Sequence, residues 1–124
     1  MVECSVIDAS PLIFLTKADK LNLLQQVINR EVVVPVAVET EIQQYGNEDI
    51  TVQSLAQTSW LVVVDTPPIP NVIQSYQLGV GESAVLTWAY VNPNTEVIID
   101  DLAARHCASA LGIPVRGTLG LVLT

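Results

Sequence analysis

The chain of 124 residues is half hydrophobic and only 15% charged, and its 13 acidic residues outnumber its five basic residues to give a net charge of −8. This composition excludes a disordered chain and predicts one compact domain spanning residues 1–124. It also argues against a protein that holds a polyanion by electrostatic attraction alone, because such proteins carry a basic surface. No apolar run is long enough for a transmembrane helix, and the first residues lack the pattern of a signal peptide. We therefore predict a cytoplasmic protein with no membrane partner.

Short β-branched runs alternate along the chain with stretches of helical periodicity. The predicted elements in chain order are strand 4–7, helical segment 11–28 (two helices broken near Asp19), strand 31–35, helix 36–45, strand 60–64, helix 71–77, helix 82–91, strand 96–100, helix 102–111 and strand 113–115. Continuous apolar strands are typical of a parallel sheet that is covered on both faces. The alternation of strands and helices predicts an α/β fold, a three-layer sandwich with a central, mostly parallel sheet flanked by helices.

Acidic residues follow two of the predicted strands. Asp8 comes directly after the first strand, and Asp100 and Asp101 come at the end of the fourth. Parallel strands end at one edge of a sheet, and open parallel sheets bind ligands at that edge. The alternative is that Asp8 or Ser10 caps the helix beginning at Pro11, and that Asp100 or Asp101 caps the helix after it. Two acidic sites on one edge favour a functional site over capping alone.

A glutamate begins the helix predicted at residues 82–91. Glu82 shares one helix face with Val85, Leu86 and Ala89, at offsets of three, four and seven residues. A glutamate in the first turn is also favoured by the helix dipole, whichever way it points. Its place on the apolar, inward face favours a functional carboxylate.

Two glutamates compete for a similar position on the helix predicted at 36–45. The apolar face of this helix is centred among Val38, Ile42 and Tyr45. Glu41 lies roughly 65° from that centre and Glu39 roughly 95° away on the other side, at about 100° per residue. Glu41 is therefore the better candidate for reaching the sheet edge, and a solvated helix face is the alternative for both.

Several carboxylates gathered at one edge repel one another and raise one another's pKa unless something positive is present. The usual solution is a hard divalent cation with oxygen ligands, such as Mg²⁺ or Mn²⁺ at a site for a phosphate ester. Such an ion polarises a phosphoryl oxygen and activates water. The acidic pattern therefore predicts a metal site.

Four segments together carry a resemblance to a known family. They read "VIDASPLIFL", "VVVPVAVETEI", "LGVGESAVL" and "VIIDDLAARHCASALGIPVRGTLGLVL", and they cover nearly the whole chain. In this order they resemble the PIN-domain family of nucleases, and most closely its compact, VapC-like prokaryotic branch. The resemblance implies a PIN-like fold that uses Mg²⁺ or Mn²⁺ to hydrolyse single-stranded RNA. It also implies the toxin of a toxin–antitoxin pair, with an antitoxin protein as a possible partner.

The resemblance also implies roles for individual residues. The four catalytic acids would be Asp8, Glu41, Glu82 and Asp101. Asp8, Glu82 and Asp101 would hold the metal ion directly, while Glu41 would complete the site or position the attacking water. Ser10 would orient Asp8, and Asp100 would be an additional ligand or orienting residue. Arg105 would either pair with Asp101, four residues before it, or contact a substrate phosphate, and the ion pair is favoured. Gly117 and Thr118 are interpreted as a turn and a helix start.

A second interpretation comes from a different functional class. The paucity of basic residues suits a catalytically inactive PIN-like module that binds proteins. The apolar segment "SPLIFL" and the aromatic residues suit a homodimer under either interpretation. Stabilisation by Mg²⁺ or Mn²⁺ would favour the nuclease, because a metal that binds only the folded state shifts the unfolding equilibrium.

Overall fold

The computed structural model describes residues 1–123, which form five strands and eight helices. The strands are β1 (Cys4–Ile7), β2 (Val32–Pro35), β3 (Leu61–Val64), β4 (Thr95–Ile98) and β5 (Val115–Arg116). The helices are α1 (Ala9–Lys17), α2 (Leu21–Ile28), α3 (Val36–Gln43), α4 (Ile50–Gln57), α5 (Asn71–Gln74), α6 (Val80–Val91), α7 (Leu102–Ala110) and α8 (Thr118–Val122). Among the same residues, no helix is both long and apolar enough to cross a bilayer.

The five strands form one parallel sheet in the order β3-β2-β1-β4-β5. β1 is the central strand, and its residue Val6 lies between Val33 of β2 and Val97 of β4. Helices flank this sheet, and α6 packs against β1, β2 and β4. The predicted fold class, a three-layer α/β sandwich with a central parallel sheet, is confirmed.

The core lies on the central strands. Val6, Ile7, Val34, Val97 and Ile98 are fully buried, because the middle of the sheet meets no solvent on either face. Burial of a side chain of this size stabilises the fold by about 1.5–3 kcal/mol. The continuous apolar runs therefore form the buried centre of the sheet, which positions the polar residues that follow β1 and β4.

One helix was not predicted from the sequence. α4 contains the β-branched residues Ile50, Thr51 and Val52, which lower helix propensity. Asp49 compensates by capping the helix, since its side chain accepts hydrogen bonds from the main-chain N–H groups of Thr51 at 2.9 Å and Val52 at 3.3 Å. The buried hydroxyl of Thr51 also lies 2.6 Å from that of Thr16 on α1. Capping and tertiary contact thus override propensity here.

Some element boundaries also differ from the prediction. α1 begins at Ala9 instead of Pro11, α6 begins at Val80 instead of Glu82, and β5 extends to Arg116. Gly79 occupies the N-cap of α6, so the helix begins two residues earlier than the apolar periodicity indicated and includes Val80 and Gly81. Thr118 begins α8, as predicted.

Candidate catalytic and metal site

The ends of β1 and β4 place acidic residues beside each other at the centre of the sheet. The chain runs outward from β1 through β2 to β3 and then returns to β4 on the other side of β1. The point between β1 and β4 is therefore the switch in strand order, where parallel sheets bind ligands. Asp8 follows β1, and Asp100 and Asp101 follow β4, so the predicted shared edge is observed.

Three of the four predicted acids line one cleft. Asp8 comes from the end of β1, Glu41 from α3 and Glu82 from the first turn of α6. The acidic cleft has a volume of about 280 Å³, and Ser10, Gly79 and Gly81 complete its wall. Glu39 does not line it, which agrees with the preference for Glu41 on angular grounds. Val85 and Leu86 are fully buried, so Glu82 begins the inward face of α6 as expected.

Gly81 allows two carboxylates to approach the helix backbone. A methyl group at this position would lie 3.0 Å from Oε1 of Glu41 and 3.5 Å from Oδ1 of Asp8. Both oxygen atoms therefore approach the same point beside α6. The sequence interpretation did not select Gly79 or Gly81 as site residues. The two glycines just before Glu82 in "LGVGES" were the available signal, since a glycine that precedes a carboxylate often marks a close approach to the backbone.

Asp8 has a strongly perturbed environment. Asp8 is only 5% exposed, and this burial raises the pKa of its carboxyl group to about 7. The nearby main-chain N–H of Ala9 partly offsets this effect, and the negative charges of Glu82, Glu41 and Asp101 raise the pKa further. All four predicted acids therefore interact electrostatically at this edge. Asp8 occupies the N-cap position of α1 but its side chain makes no capping hydrogen bond, so the capping alternative does not explain it.

Glu82 and Asp101 each combine a capping role with a position near Asp8. Oε1 of Glu82 accepts a hydrogen bond from the main-chain N–H of Gly79 at 3.1 Å. Oδ2 of Asp101 accepts one from the main-chain N–H of Ala104 at 2.9 Å. Each bond orients one carboxylate oxygen toward a helix start. The second oxygen of each group makes no hydrogen bond within residues 1–123.

Ser10 and Asp100 are placed differently from their predicted roles. Ser10 lines the acidic cleft but its exposed hydroxyl makes no hydrogen bond to Asp8, because α1 begins at Ala9 and turns Ser10 outward. Asp100 does not line the cleft. Its carboxylate accepts hydrogen bonds from the main-chain N–H and the hydroxyl of Thr118. Asp100 therefore fixes the start of α8, and its role as an additional ligand or orienting residue stays a prediction.

A family model described as DUF3368, PIN domain, matches residues 4–124 of the chain. The chain belongs to the PIN-domain family. None of the curated proteins matches it. PIN domains are generally nucleases, so the acidic edge described above lies in a nuclease-type fold.

The cations of this PIN domain are not gathered around the acidic cleft. Within residues 1–123 the one ion pair joins Arg116 of β5 to Glu96 of β4, at 3.0 Å. The favoured pairing of Arg105 with Asp101 is therefore wrong. The guanidinium of Arg105 instead reaches the carbonyl oxygen of Ile99, with Nη1 at 3.5 Å, and packs on Gly117. A methyl group on Gly117 would lie 2.6 Å from Nη1, so a side chain at this position would displace the end of the Arg105 side chain.

The donor atoms of this PIN domain suit a hard divalent cation, but they do not form a closed ligand set. Within residues 1–123, no three His, Cys, Asp or Glu side chains are close enough together to hold a metal ion. Glu82 and Asp101 each give one carboxylate oxygen to a main-chain N–H at a helix start. Mg²⁺ commonly binds proteins through one or two carboxylates and several waters. The oxygen atoms of Asp8 and Glu41 beside Gly81 fit a site of that kind.

Proposed function

We propose that this PIN domain is an endoribonuclease that uses Mg²⁺ or Mn²⁺ to hydrolyse phosphodiester bonds of single-stranded RNA. The observation that carries the proposal is the burial of Asp8 in a cleft that it shares with Glu41 and Glu82. No basic side chain of residues 1–123 pairs with these carboxylates. Carboxylates held together in this way destabilise the folded protein unless a cation compensates their charge. Their presence in a buried cleft therefore favours a functional role over a structural one.

Each acid would have a distinct part in the reaction. Asp8, Glu82 and Asp101 would hold the metal ion, and Glu41 would complete the site or position the attacking water. A bound Mg²⁺ or Mn²⁺ would supply polarisation of the phosphoryl oxygen and activation of water. The end of β1 fixes Asp8 in the cleft, and the absence of a side chain on Gly81 lets the carboxylate oxygens of Asp8 and Glu41 approach the backbone of α6.

The direct test is RNA cleavage by the wild-type protein and by Asp101→Asn, each with Mn²⁺, Mg²⁺ or EDTA. Asparagine is also a good N-cap residue, so this variant keeps the start of α7 while it removes a charge. We expect cleavage to fall by at least about a hundredfold in the variant and to vanish in EDTA. Glu41→Gln should behave like Asp101→Asn, and Glu39→Gln on the same helix should cleave like the wild type. Equal cleavage by the wild type and Asp101→Asn would disprove the assignment and indicate a contaminating nuclease.

We further propose that the protein is a VapC-like toxin whose partner is an antitoxin protein, and that it forms a homodimer. The resemblance in the four quoted segments supports the first proposal. Exposed apolar residues on α1 and at α8 and its C-cap support a protein partner, since Phe14 is 52% exposed, Leu119 70% and Leu123 74%. Light scattering should give the mass of a dimer for the wild type and of a monomer for Leu119→Lys. A monomeric wild-type protein would exclude the homodimer.

The alternative function is a protein-binding PIN-like module without turnover. The lack of three converging metal-binding side chains in residues 1–123 is the observation that favours it. The two functions differ in their response to metal. A nuclease should unfold less readily when Mg²⁺ or Mn²⁺ is added, by about 2.7 kcal/mol at a metal concentration one hundred times the Kd. Asp8→Asn should lose this response, whereas an inactive module should show none.

A further inference from the structure

A second cavity lies next to the acidic cleft. It has a volume of about 490 Å³ and is walled largely by apolar side chains, including Pro67, Pro68, Ile69 and Leu78. We call it the proline groove. A third cavity of about 540 Å³ joins the two, because it shares Glu41 with the acidic cleft and shares Ala37 and Val80 with the proline groove. A strand bound at the acidic cleft can therefore continue into the groove without leaving the surface.

Polar groups in the proline groove are placed for hydrogen bonding. The hydroxyl of Thr66 is buried and has no hydrogen-bond partner in residues 1–123. The side-chain amide of the exposed Gln74 donates to the carbonyl oxygen of Ile69 at 2.7 Å, and its oxygen accepts no hydrogen bond from residues 1–123. A buried polar group without a partner costs free energy that a ligand can recover. Apolar walls with a few fixed polar groups are typical of a small-molecule or nucleobase site.

The charges indicate which part of an RNA strand fits the groove. No Lys or Arg lines it. Elsewhere, Arg116 pairs with Glu96, Arg30 donates to the hydroxyl of Ser5 at 2.9 Å, and Lys17 lies over the ring of Tyr45 at 5.5 Å. A phosphate would therefore find no cation in the groove. A nucleobase is uncharged and planar, packs on apolar side chains and is recognised by hydrogen bonds to its edge.

We propose that the proline groove holds a base of the RNA strand that is cleaved at the acidic cleft. The Thr66 hydroxyl and the Gln74 amide oxygen bind the edge of this base, and the proline side chains pack on its face. The amide oxygen accepts a hydrogen bond, so the seated base presents an N–H group to it. This proposal rests on the proposed ribonuclease function and assigns to Thr66 and Gln74 the recognition of the substrate.

The test uses a short RNA in which one abasic nucleotide is moved through every position. Binding is measured by fluorescence anisotropy with Ca²⁺, and cleavage is measured separately with Mg²⁺. The variants are Thr66→Val, which keeps the shape and removes the hydroxyl, and Gln74→Ala. The matched control is Gln26→Ala on the exposed face of α2, and Thr66→Ser tests whether a hydroxyl at this position restores what Thr66→Val loses.

We expect Thr66→Val and Gln74→Ala each to weaken binding of the intact RNA by about 3- to 10-fold, while Gln26→Ala binds like the wild type and Thr66→Ser binds more tightly than Thr66→Val. One abasic position should weaken wild-type binding, and at that position the two variants should lose nothing further, because the interaction is already gone. The proposal would be overturned if the variant and the abasic nucleotide weakened binding additively at every position. It would also be overturned if no abasic position weakened binding to the wild-type protein. An absence of RNA binding would overturn it too.

The same experiment separates this proposal from the proposed nuclease function. Position-specific binding without metal-dependent cleavage would support the groove and refute the nuclease. Cleavage that depends on Asp101 together with a flat abasic scan would support the nuclease and refute the groove.

Discussion

Asp100 and Thr118 join the end of β4 to the start of α8 through two hydrogen bonds. The main-chain N–H of Thr118 donates to Oδ1 of Asp100 at 2.8 Å, and the hydroxyl of Thr118 donates to Oδ2 at 2.5 Å. Asp101, the next residue, accepts a hydrogen bond at the start of α7, and its negative charge raises the pKa of Asp8. Two adjacent aspartates thus make different contacts: Asp100 holds the start of α8, while Asp101 caps α7 and raises the pKa of Asp8.

Removal of the Asp100 carboxylate should reduce stability without changing the response to metal. Asp100→Ala leaves the buried Thr118 without its acceptors, and we expect the free energy of unfolding to fall by about 1–3 kcal/mol. Urea denaturation with and without Mg²⁺ measures both effects. Asp65→Ala is the control, because Asp65 is exposed and makes no side-chain hydrogen bond within residues 1–123. A lost Mg²⁺ response in Asp100→Ala would identify Asp100 as a ligand.

The stability of the metal-free protein should depend on pH through Asp8. Its pKa is about 7 in the folded protein, above the ordinary value of 3.8. Between these values the folded state keeps a proton that the unfolded state releases, so stability falls as pH rises from about 4 to about 7. We expect a loss on the order of 2–4 kcal/mol in EDTA, measured by urea denaturation across this range. Asp8→Asn should lack this loss, and an unchanged slope in the variant would show that another group is responsible.

Substitution of Gly81 should separate stability from activity. In Gly81→Ala the added methyl group lies 3.0 Å from Oε1 of Glu41 and 3.5 Å from Oδ1 of Asp8, so it displaces the flexible Glu41 side chain and narrows the cleft. Alanine has the higher helix propensity, which offsets the cost by up to about 1 kcal/mol. We therefore expect nearly unchanged thermal unfolding but at least about tenfold slower RNA cleavage. Full activity in a stable Gly81→Ala protein would place the substrate elsewhere.

RNA binding should depend only weakly on salt concentration. Each phosphate neutralised by a basic side chain contributes about −0.7 to the slope of log K against log salt for a single strand. Arg105 is the basic residue for which the sequence offers a phosphate contact as the alternative. We expect a slope between about 0 and −1.5 when anisotropy is measured from roughly 50 to 200 mM KCl at constant Mg²⁺. A slope steeper than about −3 would indicate a basic surface, contrary to base recognition in the proline groove.

The sheet and the approximate place of the acids were predictable from the sequence. Buried parallel strands leave a strong signal because both of their faces must be apolar, and all five predicted strands overlap observed ones. Glu41 was correctly separated from Glu39 because the helical angle of each residue is fixed by its position on α3.

What the sequence could not predict depended on side-chain direction and on distant partners. Asp100 and Asp101 are identical in type and adjacent, and only the position of α8 decides that Asp100 binds Thr118. Arg105 lies four residues after Asp101, as a helical ion pair requires, but its guanidinium instead packs on Gly117, where no side chain occupies the space. The missed helix α4 depends on a cap and on packing against Thr16, which outweigh its β-branched residues.

The central position of β1 has a consequence for synthesis of the protein. β1 contains the first residues of the sheet to leave the ribosome, but one of its two neighbours, β4, begins only at Thr95. Until β4 emerges from the ribosome, Asp8 lies at an unpaired edge of an incomplete sheet. Asp101, which follows β4 in the chain, has not yet emerged either. Pairing of strands so distant in the chain is a late step in folding. A nascent chain that lacks β4 therefore does not yet hold Asp8 buried beside Asp101, and we expect the proposed activity only after β4 and α7 have folded onto β1.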